Sequence, residues 1–498
     1  MSKGNNTTAY RSIAKGTAMM GGVQVFNIII NILRGKLVAL FLGPSGMGIS
    51  SLLNSTVLPI QQFTSLGLSL SAVKDVAELK NSDDIQKYNH ISIIRTISFL
   101  TAILGAIVLI ICAPYLSKVT FGDESYTWHL IFLSVMVFFT TMAEAERSVL
   151  QGSHALKRLA YSSLIGSGTG LFIGVPLYFF FGEYGIVPAM VVLSIVTFYF
   201  YRYHEAKLYK SRLFFSLDQL REFTPLIKTL LSLGIISMVS TLLGTACNYT
   251  INAFVRHTGG IEDVGFYQAA NSITNQYVAL VFSAMSMDYF PRLAAVSHDN
   301  QKIRNIVNAQ TEIVLLVICP IISLMICFAP IVIEILLTKE FIVLKPVIRV
   351  FALAVFFKSL AYPMGYISFA KGDKKIFFWL EGVYGNIVLL IISIITYHYF
   401  GLIGLATALL CTYVIVLVTY FVVTGQKYSY KMDRSVIKLI LITGSLSIAC
   451  FLCSLIPNLK YSYFFMGIFT VTSVVISLVG LEKRIQLFEI LKNKISKI

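Results

Sequence analysis

Charged residues are scarce in this sequence, and long polar stretches are missing. Only 13% of the 498 residues are Asp, Glu, Lys or Arg, whereas 56% are hydrophobic. A folded soluble domain would need a polar stretch of its own, so this composition excludes a soluble enzyme with a single membrane anchor. We expect an integral membrane protein made almost entirely of spans and short connections.

Several catalytic signatures are also missing. The sequence has no G-x-x-x-x-G-K-[ST] phosphate loop, no H-E-x-x-H and no G-x-S-x-G with a central serine. The seven histidines are scattered and the seven cysteines all fall in apolar segments, so neither metal sites nor disulfides are expected. We therefore predict that the protein is not an enzyme and that it needs no cofactor and no metal.

Membrane spans account for most of the chain. A span needs about 20 mostly apolar residues to cross a hydrocarbon layer of roughly 30 Å. Fourteen segments of this kind are predicted, near residues 17–42, 47–72, 92–115, 127–150, 160–182, 185–201, 229–255, 264–290, 313–337, 342–370, 376–399, 402–425, 436–456 and 461–480.

The basic residues predict the orientation of these spans. Of the 40 Lys and Arg residues, 31 fall on the side that holds both termini, five fall on the other side and four lie inside spans. Basic residues collect in cytoplasmic connections, so both termini are predicted to be cytoplasmic. The same rule explains the net charge of +16, and no nucleic-acid partner is expected.

An internal repeat is visible when the chain is compared with itself. A shift of 217 residues aligns Gly48 with Gly265 and Asn31 with Asn248. Each half starts with a polar-striped span, returns through a second span and continues into an amphipathic segment, at 71–89 and 292–310. The predicted fold is an all-α integral membrane protein of 14 transmembrane helices, with two six-helix bundles in parallel pseudo-repeat and two C-terminal helices. The expected divisions are 1–224 (helices 1–6), 225–426 (helices 7–12) and 427–498 (a basic linker with helices 13–14).

Polar side chains inside the spans are the candidates for function. An ionised side chain at mid-bilayer costs roughly 2.5–3.5 kcal/mol on insertion scales, so such residues are interpreted first as functional. At 100° per residue, the polar residues of span 1 share one helix face, which should line water or protein rather than lipid. The predicted cavity lining is Gln24, Asn27, Asn31, Arg34 and Lys36 in span 1, Asn248 and Asn252 in span 7, Gln268, Asn271 and Asn275 in span 8, and Arg349 and Lys358 in span 10.

Arg34 and Lys36 pose a geometric problem. Arg34 lies nine residues before Gly43, which at 1.5 Å per residue is about 13 Å deep, close to the bilayer centre. Lys36 lies about 200° around the helix from it, so the two cannot face one lumen on a regular helix. Either Gly35 permits a local break, or one of the two side chains reaches the surface or pairs with a neighbouring helix.

The sign of the charge inside the spans favours an anionic cargo. The four in-span cations, Arg34, Lys36, Arg349 and Lys358, outnumber the in-span carboxylates, of which Glu381 is the clearest. A diphosphate needs paired charge to leave water, and such a cavity supplies it. Three carboxylates are candidates for coupling or gating, although the two near the inner interface can equally be surface charges: Glu381, Asp288 and Glu144.

Four stretches of the sequence resemble a known family. They are GKLVALFLGPSGMGIS (35–50), EDVGFYQAANSIT (262–274), YFPRLAAV (289–296) and AKGDKKIFFWLEGV (370–383). Together they resemble Wzx-type polysaccharide flippases of the multidrug/oligosaccharidyl-lipid/polysaccharide exporter superfamily, nearest to those for enterobacterial common antigen and O-antigen, over about residues 10–425. In this resemblance Lys36 matches the lysine that the family has in its first span, and Glu381 matches the family's glutamate in span 11. The fourteen spans predicted here differ from the twelve of the nearest relatives.

The resemblance implies a function without ATP. It implies that an undecaprenyl-diphosphate-linked oligosaccharide moves from the cytoplasmic to the periplasmic leaflet of the bacterial inner membrane by alternating access. It also implies a monomer that contacts membrane lipid and works beside a polysaccharide polymerase and chain-length proteins. A cation-coupled drug or metabolite exporter of the same fold and a lipid II flippase are the alternatives, and a glycan polymerase is disfavoured by the short outward connections. Protons, sodium or the membrane potential could drive transport.

Overall fold

In the computed structural model the chain is helical. The structure describes residues 3–79, 83–209, 213 and 223–486; it describes side chains from residue 22 onward, except at 24, 233, 236, 237, 240, 275–281, 283–288, 291, 374, 381 and 485. This part of the chain contains no β-strand. The predicted all-α class is therefore confirmed.

Fifteen α-helices are described. The first eight are α1 (Lys3–Thr64), α2 (Leu68–Glu78), α3 (Asp84–Phe121), α4 (Thr127–Gly152), α5 (Leu156–Phe181), α6 (Ile186–Ala206), α7 (Thr224–Gly259) and α8 (Ile261–Ala294). The others are α9 (Asn300–Cys327), α10 (Ala329–Leu336), α11 (Lys345–Ala370), α12 (Lys374–Phe377), α13 (Gly385–Tyr428), α14 (Arg434–Cys453) and α15 (Leu459–Ile485). Short 3₁₀ turns lie at Gly182–Gly185 and Lys339–Leu344, and a π-helix lies at Phe378–Tyr384.

Eight helical stretches of the described residues are long and apolar enough to cross a membrane, so the chain is a multi-pass membrane protein. Three of these stretches, Val25–Thr64, Leu156–Ala206 and Lys375–Tyr428, each cover all or most of two predicted spans. The spans predicted at 229–255, 264–290 and 342–370 fall on α7, α8 and α11, which are not among the eight. The count of fourteen stays a prediction.

Two of the predicted connections between spans are very short, and each contains a glycine where two helices meet. α1 leaves helical geometry at Gly43 (φ 62°, ψ −165°), and α13 does so at Gly401 (φ 58°, ψ −139°). Residues with a Cβ rarely adopt a positive φ, so glycine is needed at both points. The spans predicted on either side of each glycine are thus separate helices that meet at that residue.

The chain forms two compact units, Met1–Gly265 (unit 1) and Phe266–Ile498 (unit 2). In unit 1, α5 packs on α6 through three glycines, each beside one α6 side chain: Gly166 beside Thr197, Gly170 beside Leu193 and Gly174 beside Ala189. In unit 2, α11 is the most enclosed helix and packs against α9, α13 and α14. The bundle boundary predicted between residues 224 and 225 concerns the repeat and stays a prediction.

Candidate functional site

The polar stripe of span 1 lies partly against α5. The Asn27 amide donates to the Ser163 hydroxyl at 2.9 Å and accepts from the Ser167 hydroxyl at 2.8 Å. About two turns further along, Arg34 Nη2 donates to the Tyr178 hydroxyl at 3.5 Å. Asn31 is exposed. The stripe therefore helps to join α1 to α5 through Asn27, while Asn31 stands free of that contact; the Gln24 side chain lies outside the described residues.

The conflict between Arg34 and Lys36 is resolved in part by the backbone of α1. The only non-helical residue within this helix is Gly43, so the break predicted as one option at Gly35 does not occur. Arg34 and Lys36 consequently leave the helix on different sides, and both are half-buried. The hydrogen bond from Arg34 to Tyr178 is long, and among the described residues no carboxylate forms an ion pair with Arg34. A guanidinium has five N–H donors, so Arg34 retains hydrogen-bonding capacity.

A cavity of about 480 Å³ lies within unit 1. It is bordered by the second half of α1, by the start of α2, and by α3, α4 and α7. Its polar lining consists of Asn54, Gln61, Gln62, Ser65, Ser69, Ser98, Thr101, Thr140, Thr141, Glu144 and Thr241. Of the residues predicted to have a role in coupling or gating, Glu144 lies here, where its carboxylate accepts from Arg147 Nη1 at 3.0 Å. None of the four in-span cations lines this cavity.

A buried ionic network joins α3, α4 and α6. Arg95 donates to both carboxylate oxygens of Glu146, at 2.9 and 3.1 Å, and to Glu205 Oε2 at 2.7 Å. Arg202 pairs with the same Glu205 carboxylate, so two cations balance two anions. Arg95, Glu146 and Glu205 are at most 4% exposed, and such a network is stable only because every charge has a partner.

Sequence reasoning missed this network. None of Arg95, Glu146 and Glu205 is among the site residues predicted from the sequence. Opposite charges at the ends of spans 3, 4 and 6 are the signal that could have revealed the network. The pairing is hard to predict from the sequence because Arg95 and Glu205 are 110 residues apart. In the described part of the chain no group of His, Cys, Asp or Glu side chains could hold a metal ion.

Two asparagine side chains of span 7 are hydrogen-bonded to each other. Asn252 donates from Nδ2 to Asn248 Oδ1 at 3.2 Å, as their spacing of four residues allows. Asn248 is exposed, whereas Asn252 is buried and its Oδ1 has no hydrogen-bond partner among the described residues. A buried acceptor without a partner is rare and marks a place where water or a ligand can bind.

The two cations of span 10 have different surroundings in unit 2. Arg349 is buried, with Nε donating to the Ile326 carbonyl at 3.1 Å and Nη1 to the Ser454 carbonyl at 3.0 Å. These carbonyls belong to the C-terminal ends of α9 and α14, which have orphan acceptors. Lys358 is half-buried, and its ammonium lies 5.4 Å from the centre of the Tyr413 ring. The contacts of Arg349 favour a role in helix packing; its predicted role in the cavity stays a prediction.

The remaining candidates are only partly visible. Gln268 and Asn271 are half-buried on α8. The side chains of Asn275, Asp288 and Glu381 lie outside the described residues. The backbone at Glu381 belongs to the π-helix Phe378–Tyr384, a rare geometry that is found most often at functional sites.

Comparisons with known proteins agree with this architecture. The sequence model of a family described as "polysaccharide biosynthesis protein" matches residues 37–346. The chain is 22% identical to the lipid III flippase of Escherichia coli (strain K12) over 428 residues, which cover 81% of this chain and 96% of that one. Among solved structures, lipid II flippase MurJ in an inward closed conformation is similar with a TM-score of 0.69, 15% identity and coverage of 93% and 98%. A multidrug resistance MATE family transporter of the MOP superfamily, inward-facing, gives a TM-score of 0.68 with 16% identity and coverage of 83% and 96%.

The fold is that of the solved lipid II flippase and multidrug transporter structures. More narrowly, the chain belongs to the polysaccharide biosynthesis protein family, whose model covers more than half of its length. The resemblance predicted from the four sequence stretches is thereby confirmed. The likeness to solved structures extends to the fold alone, because a multidrug transporter and a lipid II flippase match it almost equally well.

Proposed function

We propose that this protein moves an undecaprenyl-diphosphate-linked oligosaccharide from the cytoplasmic to the periplasmic leaflet of a bacterial inner membrane. Its repeat unit belongs to O-antigen or a related surface polysaccharide. Support comes from membership of the polysaccharide biosynthesis family and from similarity to a lipid III flippase over most of both chains.

The observation that carries this proposal is that Arg34 is half-buried and pairs with no carboxylate among the described residues. This arginine is half-buried in the apolar part of α1, and its one hydrogen bond to another side chain in the described residues, to Tyr178, is 3.5 Å long. A guanidinium that is not neutralised by a carboxylate is costly at this depth and is suited to bidentate binding of phosphate. We assign Arg34 to the diphosphate, with Lys36 and Lys358 as further cationic contacts along the path.

Charge separates this function from that of a cationic-drug exporter. An exporter of cationic drugs needs a path lined by carboxylates, whereas the in-span charges are mostly positive. A lipid II flippase would carry the same diphosphate on a different glycan, so the fold and the cations are compatible with it. Family membership favours the surface polysaccharide.

The mechanism that we propose is alternating access with both termini in the cytoplasm. The six-helix bundles 1–224 and 225–426 rock about the substrate, while the polyprenyl tail stays in lipid. Glu381 and Asp288 are assigned to coupling or gating. The π-helical backbone at Glu381 supports this assignment, because it marks a place where the helix can change its hydrogen bonds.

Reconstitution tests the proposal directly. The full-length protein is placed in liposomes with undecaprenyl-diphosphate-linked oligosaccharide, and the fraction of glycan that becomes accessible to an added glycosidase is followed over time. We expect Arg34→Gln to slow flipping at least tenfold and Arg34→Lys to retain part of the rate, because a single ammonium cannot replace the bidentate contact. Tyr178→Phe is the matched control, since it removes the hydroxyl beside Arg34 and leaves the charge.

The outcome discriminates between the candidates. An unchanged flipping rate in folded Arg34→Gln would reject the role of this arginine. Transport of lipid II at the same rate as the surface-polysaccharide precursor would favour the lipid II alternative. Export of a cationic drug with no glycan flipping would favour the drug exporter.

A further inference from the structure

The cavity of unit 1 is a second site, distinct from the cationic residues that we assign to the diphosphate. We propose that it binds uncharged sugar residues of the lipid-linked glycan. This inference rests on the proposed function, and it names the part of the substrate that the cavity holds.

The hydroxyl groups of the cavity act mainly as acceptors. Thr140 donates its proton to the Met136 carbonyl at 2.7 Å, and Thr101 donates to the Ser98 carbonyl at 3.1 Å. Ser65 likewise donates to the Gln62 carbonyl at 3.1 Å. Each oxygen keeps its lone pairs after its proton is used. The lining therefore suits a ligand that is rich in O–H and N–H donors.

The charge of the cavity disfavours a phosphate. Glu144 is the only charged residue among those that line it. The described lining contains no cation to neutralise a phosphate, and the amide N–H donors of Asn54, Gln61 and Gln62 are neutral, so a phosphate would leave water without a charged partner. Sugar hydroxyls can donate both to the lining hydroxyls and to the Glu144 carboxylate. The same argument disfavours sugars that carry a carboxylate.

One buried hydroxyl points to a ligand. Thr141 is 5% exposed, lines the cavity, and its Oγ1 has no hydrogen-bond partner among the described residues. Buried hydroxyls almost always have a partner, and an unsatisfied one is costly. Rotation of the Thr141 side chain toward the cavity would let a sugar hydroxyl supply the missing partner. Apolar residues of the lining, among them Leu58 and Met136, can contact the C–H faces of a sugar ring.

The size of the cavity agrees with this assignment. Small-molecule sites enclose roughly 300–1,000 Å³, and about 480 Å³ falls within that range. The volume holds a short saccharide. It has no need to hold the lipid, which stays in the membrane under the proposed mechanism.

Ligand-dependent thermal unfolding of the full-length protein in detergent tests the inference. The probes are lactose, N,N′-diacetylchitobiose, galacturonic acid and inorganic pyrophosphate, each added alone over a range of concentrations. We expect at least one of the two neutral disaccharides to raise the unfolding temperature in a saturable way, and galacturonic acid to have no such effect. Thr141→Val should raise the apparent Kd of the disaccharide about three- to tenfold, because it removes one hydrogen bond.

Two variants serve as controls. Thr141→Ser keeps the hydroxyl and should bind the disaccharide as the unaltered protein does. Thr412 also has a buried hydroxyl without a partner among the described residues, but it lies on α13, so Thr412→Val should leave saccharide binding unchanged. Folding of Thr141→Val is expected to be normal, since the substitution removes an unsatisfied group and keeps the shape.

The probes separate failure of this inference from failure of the proposed function. Pyrophosphate should stabilise the unaltered protein and Thr141→Val equally, and should lose its effect in Arg34→Gln. Stabilisation by sugars that rises linearly and is equal in Thr141→Val is the general osmolyte effect, and it would overturn the cavity site. If neither disaccharide changes the unfolding temperature, the inference is also overturned, and the cavity is then filled by water. Loss of the pyrophosphate effect in Thr141→Val would place the anion in the cavity and contradict the inference.

Discussion

Gly48 and Gly265 each lie against the backbone of the segment that contains the other. A Cβ atom on Gly48 would overlap the carbonyl oxygen of Ile261, and one on Gly265 would overlap the carbonyl oxygen of Pro44. The same shift of 217 residues that pairs the two glycines also pairs Pro44 with Ile261. The contact is thus reciprocal within unit 1, as a two-fold relationship between repeats requires.

Alanine at either glycine should therefore be harmful. The added Cβ meets backbone atoms, which cannot rotate away, and overpacking of this kind costs about 1–3 kcal/mol. We expect Gly48→Ala and Gly265→Ala to lower the unfolding temperature and to reduce flipping in liposomes. Gly168→Ala is the matched control, because no atom lies within 4 Å of its added Cβ. Equal behaviour of all three variants would show that the close approach is unimportant.

The buried network around Arg95 should dominate the stability of unit 1. Arg95→Gln leaves the buried carboxylates of Glu146 and Glu205 without their main partner, and breaking such a pair typically costs about 3–5 kcal/mol. The double variant Arg95→Gln/Glu146→Gln should recover part of that loss, which thermal unfolding of the purified protein measures. For comparison, Glu78→Gln removes an exposed pair with Lys74 at 3.8 Å and should cost less than about 1 kcal/mol.

Arg349 is expected to act through stability. Arg349→Lys can donate to fewer carbonyls, so the ends of α9 and α14 lose part of their capping and the protein should lose about 1.5–3 kcal/mol. The flipping rate per folded molecule should stay close to that of the unaltered protein. Lys358→Gln should show the opposite pattern, a slower rate with little loss of stability. A slow, fully stable Arg349→Lys would instead support the cavity role predicted from the sequence.

The Asp373 carboxylate should make the stability of the folded protein depend on pH. The Lys427 ammonium, which lies 2.6 Å from the Asp373 carboxylate, lowers the pKa of this carboxyl below its ordinary value. Because the pKa is lower in the folded state, the stabilisation is complete well above the ordinary value of about 3.9 and declines as the pH falls through that value and then through the lowered one.

The corresponding experiment compares unfolding temperatures at several pH values. Asp373→Asn should be less stable than the unaltered protein at pH 7, and the difference should shrink below about pH 4. Asp84→Asn is the control, because the Asp84 side chain is fully exposed in its pair with Lys87. A difference between Asp373→Asn and the unaltered protein that is constant at all pH values would contradict the assigned role of the ion pair.

Local features of the sequence predicted the helices well because their causes are local. The apolar length of the segments predicted that spans end near residues 42 and 399, and the structure leaves helical geometry at Gly43 and Gly401. The repeat shift likewise paired Gly48 with Gly265 before any contact between them was known.

Side-chain partners were less predictable because they depend on distant segments. The stripe of span 1 could be assigned to one helix face, but the bonds of Asn27 to Ser163 and Ser167 depend on which helix lies beside that face. The cavity of unit 1 was missed for the same reason. Its lining comes from five helices, and each contributes only common residues such as serine and threonine.

The kink at Gly43 has a practical consequence for experiments on the intact membrane. Helical residues lie directly on both sides of Gly43, so there is no loop at this point that could accept an inserted epitope or a bulky label. A tag at this position would have to unwind α1 itself, next to the contact between Gly48 and Ile261. The turn between α3 and α4, residues 122–125, is non-helical and exposed, and it is the better place to attach a reporter.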